Sequence, residues 1–256
     1  YRRSDMSMLE LTPDFIKEFA AYLSTEAGLR NGSIWANCMW LKGVVMKAHY
    51  NGLIPRNPFI QFHISPNVKE REYLTEDELK AVMTHEFADS KLAYIRDIFI
   101  FASFTALSFV DIQELTNDNI VEVNGEKWIL SKRHKTKVAF QVKLLDIPLQ
   151  IVERYRPMQK DNRIFPGLNY WSICKPLKRM IRECGITKSI SFHCSRHGFA
   201  TLALSKGMPI ESVSRVLGHT NIVTTQIYAK ITTQKLDNDL TMFGNKLNAS
   251  FGSVTP

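Results

Sequence analysis

The chain has 256 residues, enough for one large domain or two smaller ones, and two are expected because domains cluster near 100 to 150 residues. Lysine and arginine number 33 against 25 acidic residues, a net charge of +8 that favours a polyanionic partner, with nucleic acid ahead of an acidic membrane surface. No apolar run escapes interruption by Lys, Asp, Glu or Asn over a membrane-spanning length, and the four cysteines form no CxxC pair, so a soluble, cytoplasmic protein with reduced thiols is expected. It begins at Tyr1 without a methionine, as a fragment or processed chain would, and nothing there resembles a secretory signal.

Thr12-Pro13 reads as an N-cap followed by proline at the first helical position, and Phe15, Phe19, Ala20 and Leu23 follow at helical spacing. A second helix starts near Ser33, carries Trp35, Met39, Trp40, Val44, Val45 and Ala48, and stops at Asn51-Gly52; its Trp and Met positions are expected in the core. Prolines 55, 58 and 66 and the charged run Lys69-Glu70-Arg71-Glu72 then break the pattern. Thr75 and Glu78 have capping-box spacing and open a new unit. The resulting division is a helical domain over 1–66, a linker over 67–74 and a second domain over 75–256.

In that second domain a long apolar helix through Ile95, Ile98, Phe99, Ala102 and Phe104 precedes a shorter one through Val110, Ile112 and Leu115. Asn124-Gly125, between Ile120-Val121 and Trp128-Ile129-Leu130, is a type I′ hairpin signal. A third strand is expected at 138–145, with the basic run Lys132-Arg133-His134-Lys135-Thr136-Lys137 at its connection to strand two. Helices then recur near 149–157, 170–184, 194–206, 210–217 and 233–247. The fold class is therefore mainly α with a small antiparallel β-sheet: a helical domain plus a mixed α/β domain.

The chemistry-bearing residues concentrate late in the chain. His193 and Arg196 stand three apart, so a helix start puts both on one face, able to reach one anionic group. Gly218 ends a helix and leaves His219 on a loop, and Tyr228 follows nine residues later. Paired catalytic carboxylates and phosphate-binding glycine loops are missing from this set. His193 and His197 would share a helix face, but Cys194 stands where the zinc motif H-E-x-x-H has its glutamate, so His197 reads as a buried support and not a ligand.

H-x-x-R-H, L-G-H and a tyrosine nine residues after that histidine resemble the catalytic signature of the tyrosine recombinases, the phage integrase family. Gly52-Leu53-Ile54-Pro55 and Asn57-Pro58-Phe59 are similar to the end of that family's helical core-binding domain. The resemblance implies a core-binding domain followed by a catalytic domain, closing as a clamp on double-stranded DNA. It implies a strand transferase that needs neither metal nor ATP, with Tyr228 as nucleophile, Arg196 neutralising the phosphate, His193 as base and His219 as hydrogen-bond donor. Lys135 matches the family's strand-turn lysine, the general acid.

One position departs from the family. Where most members read T-G-L-R with an acidic residue three positions on, this chain reads Thr105-Ala106-Leu107-Ser108 and then Asp111, so Ser108 replaces an arginine and Asp111 reads as a support. Loss of one transition-state donor costs about 10²- to 10³-fold. Arg133 is the expected substitute: it precedes Lys135 by two residues, so strand periodicity puts both on one face. Lys132, Lys137 and the Ser108 hydroxyl are alternatives.

The resemblance is to mobile-element integrases, of the conjugative transposon type found in Bacteroidetes, and implies a nucleoid-associated homotetramer on paired DNA sites, with room for accessory DNA-bending proteins. The C-terminal segment, with Leu236, Leu240, Phe243 and Leu247 at helical spacing, either packs on a neighbouring protomer or folds back on its own domain. Two other functions compete: a DNA-binding relative without strand transfer, which Ser108 favours, and a type IB topoisomerase.

Overall fold

The computed structural model describes residues 5–65, 72–135, 137–159, 161–229 and 233–252. The chain divides into two compact units, Tyr1–Glu70 and Arg71–Pro256. Of the charged run proposed as linker only Glu72 falls among the described residues.

In the first unit, α1 (Pro13–Thr25) starts where Thr12 Oγ1 accepts the amide of Phe15. Helix α2 (Asn31–Tyr50) packs against it. Ile16, Val45, Ala48, Ile54 and Phe59 form one buried cluster, and Leu23, Ile34 and Cys38 another. Trp40 is not in the core as expected; it is 75 % exposed. Helix α2 is apolar on several sides, and Ile34, Cys38 and Val45 mark the face that α1 buries.

The second unit opens with α3 (Glu76–Thr84), whose capping box is formed in both directions: Glu78 N donates to Thr75 Oγ1 at 3.2 Å and Thr75 N to Glu78 Oε2 at 2.7 Å. Helix α4 (Ser90–Thr105) is the centre of the core, buried on nearly every side from Ile95 to Ala102. It packs against α3 and against α6 (Asp146–Tyr155), α7 (Tyr170–Glu183) and α8 (Cys194–Ser205). Helix α6 starts at Asp146, earlier than expected, because Pro148 falls in the first turn, where a missing N–H costs no hydrogen bond.

Helix α5 (Phe109–Gln113) leads to a three-stranded antiparallel sheet in the order β1 (Ile120–Val123), β2 (Glu126–Lys132), β3 (Ala139–Lys143). Asn124 and Gly125 turn the first hairpin with φ of 53° and 77°, the left-handed pair that a type I′ turn requires. In β3 Phe140 and Val142 are buried, while Val138 falls outside the strand.

The second hairpin corrects an expectation. Strand β2 ends at Lys132; Arg133 N donates to Val138 O and Lys137 N to Arg133 O, both at 2.8 Å, so the chain closes a turn there. Arg133 is buried and Lys135 is exposed at the tip, so the two do not share a strand face. Thr136 lies outside the described residues.

Beyond α8 come α9 (Ile210–Leu217), the single turn α10 (Val223–Gln226), which periodicity did not predict, and α11 (Thr233–Phe251). On α11 Leu236, Leu240, Phe243 and Leu247 are exposed, so this apolar stripe does not fold back onto its own domain. No helix among the described residues is long and apolar enough to cross a membrane.

Candidate active site

The end of α9 organises the site. The last carbonyls of a helix lack intrahelical donors and carry partial negative charge. Arg133 Nη2 donates to Val216 O at 2.5 Å, and Arg196 Nη2 donates to Leu217 O. Two guanidinium groups from distant parts of the chain thus gather at one helix terminus. Arg196, in the first turn of α8, also donates through Nη1 to Ala106 O at 2.8 Å. That carbonyl is available because Ala106 ends α4 in the left-handed conformation, φ 57°.

Asp111 fixes Arg133 from the other side. Its Oδ2 accepts from Arg133 Nη1 and from Ser108 Oγ, both at 2.7 Å, and its Oδ1 accepts from the His134 amide at 3.0 Å. Burial pushes the Asp111 carboxyl up, but the His134 amide, Arg133 and Ser108 outweigh it and hold it below the ordinary carboxylate range. Ser108 caps α5 in a box with Asp111, so its side chain is committed to that helix start and to the carboxylate. The Arg133 guanidinium also lies 4.0 Å above the Phe140 ring, and its buried Nε finds no hydrogen-bond partner among the described residues.

The charges affect one another. Burial first, and then the neighbouring Arg133, lower Arg196 to about 10, against opposite pulls from Tyr228 and Asp111. His219 is lowered to about 4 by burial, then by Arg196 and Arg133, so its imidazole is neutral at neutral pH. Its Nδ1 lies 2.8 Å from Thr225 Oγ1.

His193 is the exposed N-cap of α8, and its ring meets that of His197 at 4.7 Å, nearly perpendicular. His197, buried, meets the Tyr228 ring at 5.2 Å. Tyr228 packs on the cluster that holds Ala106, Ala200, Val213 and Leu217.

Arg133, Arg196, His219, Tyr228, Asp111 and Ser108 are therefore linked by contact or by charge, and His193 joins through His197. Lys135 stands apart on the exposed hairpin tip, and Lys132 and Lys137 are exposed as well. Sequence reasoning passed over Thr225, whose only sign was a short polar stretch between two singled-out residues. The arrangement offers two fixed cations, a neutral imidazole donor and a phenol nucleophile, which suits attack on a phosphodiester. Among the described residues no cluster of three or more His, Cys, Asp or Glu side chains could hold a metal ion.

Two family models and several known proteins match this chain. The model described as the phage integrase family matches residues 72–235, and that of the phage integrase SAM-like domain matches residues 1–64. Tyrosine recombinase XerA of Pyrococcus horikoshii is 32 % identical over 177 residues, 64 % of this chain and 58 % of that protein. Tyrosine recombinase XerC of Lactobacillus leichmannii is 26 % identical over 229 residues, 84 % of this chain and 77 % of that protein. The Tn1549 transposon integrase, solved in complex with circular intermediate DNA, superimposes with a TM-score of 0.78 at 18 % identity, covering 94 % of this chain and 88 % of that one.

Proposed function

The chain belongs to the phage integrase family, and on that premise we propose that it is a site-specific DNA recombinase that cuts and rejoins strands through a covalent bond between Tyr228 and a 3′ phosphate. The observation that carries this reading is the convergence of Arg196, Arg133 and His219 beside Tyr228.

Tyr228 Oη attacks the scissile phosphorus; the P–O5′ bond breaks, and the phenol proton passes to a base. A tyrosine has a reference pKa of about 10 and is mostly protonated at neutral pH, so attack requires that transfer. His193 is the base. Arg196 and Arg133 offset charge on the non-bridging oxygens, and His219 donates a hydrogen bond to one of them. Lys135 supplies the proton to the leaving 5′ oxygen; its exposed place on the hairpin tip leaves it free to meet DNA. The phosphotyrosine keeps the energy of the broken ester, and attack by another 5′ hydroxyl reseals a strand.

Arg133 takes the part of the arginine that Ser108 displaced. The support is Asp111: the carboxylate three residues after Ser108 accepts Ser108 Oγ and Arg133 Nη1 on the same oxygen, so the hairpin brings a guanidinium beside the carboxylate that Ser108 also meets. The remaining basic residues hold the duplex by its phosphates, and residues 1–66 bind DNA as the core-binding domain. The exposed stripe of α11 suits a neighbouring protomer, hence a tetramer on paired sites. The likeness in fold to a transposon integrase supports a mobile-element role, of the conjugative transposon type, acting at the nucleoid.

The test is incubation with a nicked suicide substrate. A covalent protein–DNA adduct that vanishes in Tyr228→Phe is expected; tight binding without an adduct would instead establish a DNA-binding relative, the reading that Ser108 favours.

A further inference from the structure

Thr225 has no exposed surface, and it touches both halves of the site at once. Its Oγ1 lies 2.8 Å from His219 Nδ1, and its carbonyl accepts the amide of Tyr228 at 3.0 Å. Its neighbour Thr224 is exposed, so α10 turns one of two adjacent threonines inward toward the imidazole.

The hydrogen-bond inventory of an imidazole gives this contact a direction. A neutral ring carries one N–H and one lone pair, and the partner of one nitrogen decides what the other can do. His219 is neutral near pH 7 because burial, Arg196 and Arg133 disfavour its cation. If Nδ1 carried the proton, it would donate to Thr225 Oγ1 and present a lone pair from Nε2, which an anionic phosphate oxygen repels. If the threonine hydroxyl donates to Nδ1, the proton sits on Nε2, where it can be given to that oxygen.

We propose that Thr225 is a positioning residue for strand cleavage, its hydroxyl donating to His219 Nδ1 and so holding the Nε2–H tautomer beside the scissile phosphate. The assignment rests on the reading of His219 as a phosphate donor. The bond from Tyr228 N to Thr225 O ties the nucleophile's backbone to the same turn, so one residue sets the imidazole's proton and anchors the tyrosine. Serine preserves the hydroxyl; valine preserves the shape and removes the donor.

The experiment compares Thr225→Val, Thr225→Ser and His219→Ala by melting temperature, DNA affinity, adduct formation on a nicked suicide substrate, and nitrogen NMR of labelled histidine, which reports the protonated ring nitrogen. Thr225→Val is expected to melt and bind DNA as the parent does. Its His219 should lose the Nε2–H tautomer, and adduct formation should slow roughly tenfold to a hundredfold, the loss typical when the partner orienting a site histidine is removed. Thr225→Ser should keep both tautomer and rate. A Thr225→Val protein that keeps the tautomer or the rate, while His219→Ala is slow, overturns the role of Thr225 alone. A His219→Ala protein that cleaves at the parent rate overturns the phosphate-donor reading beneath it. Should the valine variant fold poorly, Thr225→Ser decides: loss of the Nε2–H tautomer there, with the hydroxyl retained, overturns the proposal.

Discussion

A β-carbon on Gly218 would stand 2.9 Å from Arg133 Nε and 3.1 Å from Arg133 Cγ, so the bare glycine is what lets this side chain lie across the end of α9. Gly218 also caps α9 at φ 65°, where a residue with a β-carbon is strained by about 1–2 kcal/mol. Arg133 cannot swing aside without leaving Asp111 and Val216. Gly218→Ala is thus expected to lower the melting temperature and, because Arg133 is displaced, to reduce adduct formation more than DNA affinity. An alanine variant that forms adduct at the parent rate would show that Arg133 does not need its present place.

Arg133 itself is tested by moving the charge. Arg133→Ala strands the Asp111 carboxylate in a buried site, and breaking a buried pair costs about 3–5 kcal/mol. Its loss of activity alone would therefore be ambiguous. Adding Ser108→Arg to Arg133→Ala restores a guanidinium within reach of Asp111, at the cost of a helix cap worth about 1 kcal/mol. The double variant should regain stability and a large part of the roughly 10²- to 10³-fold lost in cleavage rate. If it regains stability and stays inactive, Arg133 pairs with Asp111 for the fold alone.

These relationships differ in how far the sequence discloses them. Thr12, the Thr75–Glu78 box and the Asn124-Gly125 turn are legible because each makes its defining contact within four residues along the chain. The strand face of Arg133 was not, because the ladder closes at the pair Arg133 and Val138, which no turn residue marks. Trp40 misled for a related reason: in a helix apolar on several sides, periodicity cannot choose which side a partner will cover. His193, Arg196, His219 and Tyr228 were singled out by their spacing and by the family resemblance, and the fold brings them near one another. The sequence did not reveal that Thr225 lies behind His219, because a one-turn helix is too short to express a period.

The depressed pKa of His219 has a sign that can be checked. Burial first, and then Arg196 and Arg133, disfavour its cation, so the folded group titrates at about 4, below the ordinary value of about 6.5. As pH falls from 6.5 toward 4, the unfolded chain takes up a proton that the folded one refuses, and stability drops across that window. His219→Asn should flatten the fall in melting temperature there. Arg196→Gln removes the nearby charge, so His219 should titrate higher by NMR. An unchanged titration in Arg196→Gln would mean that burial and Arg133 set the value without it.

Lys135 is separable from the nucleophile by changing the leaving group. On an ordinary strand the departing 5′ oxygen must be protonated, and loss of a general acid costs about 10²- to 10⁴-fold. When sulfur replaces that bridging oxygen, the thiolate leaves unprotonated, since a thiol has a pKa of about 8.5 against about 15.7 for water. Lys135→Ala should therefore form adduct slowly on normal DNA and nearly at the parent rate on the sulfur-bridged strand, whereas Tyr228→Phe should form none on either. The exposed position of Lys135 means that its alanine variant should melt as the parent does, so a defect on both substrates cannot be ascribed to misfolding. Such a defect would remove Lys135 from the acid role and point to its exposed neighbours Lys132 and Lys137 on the same hairpin.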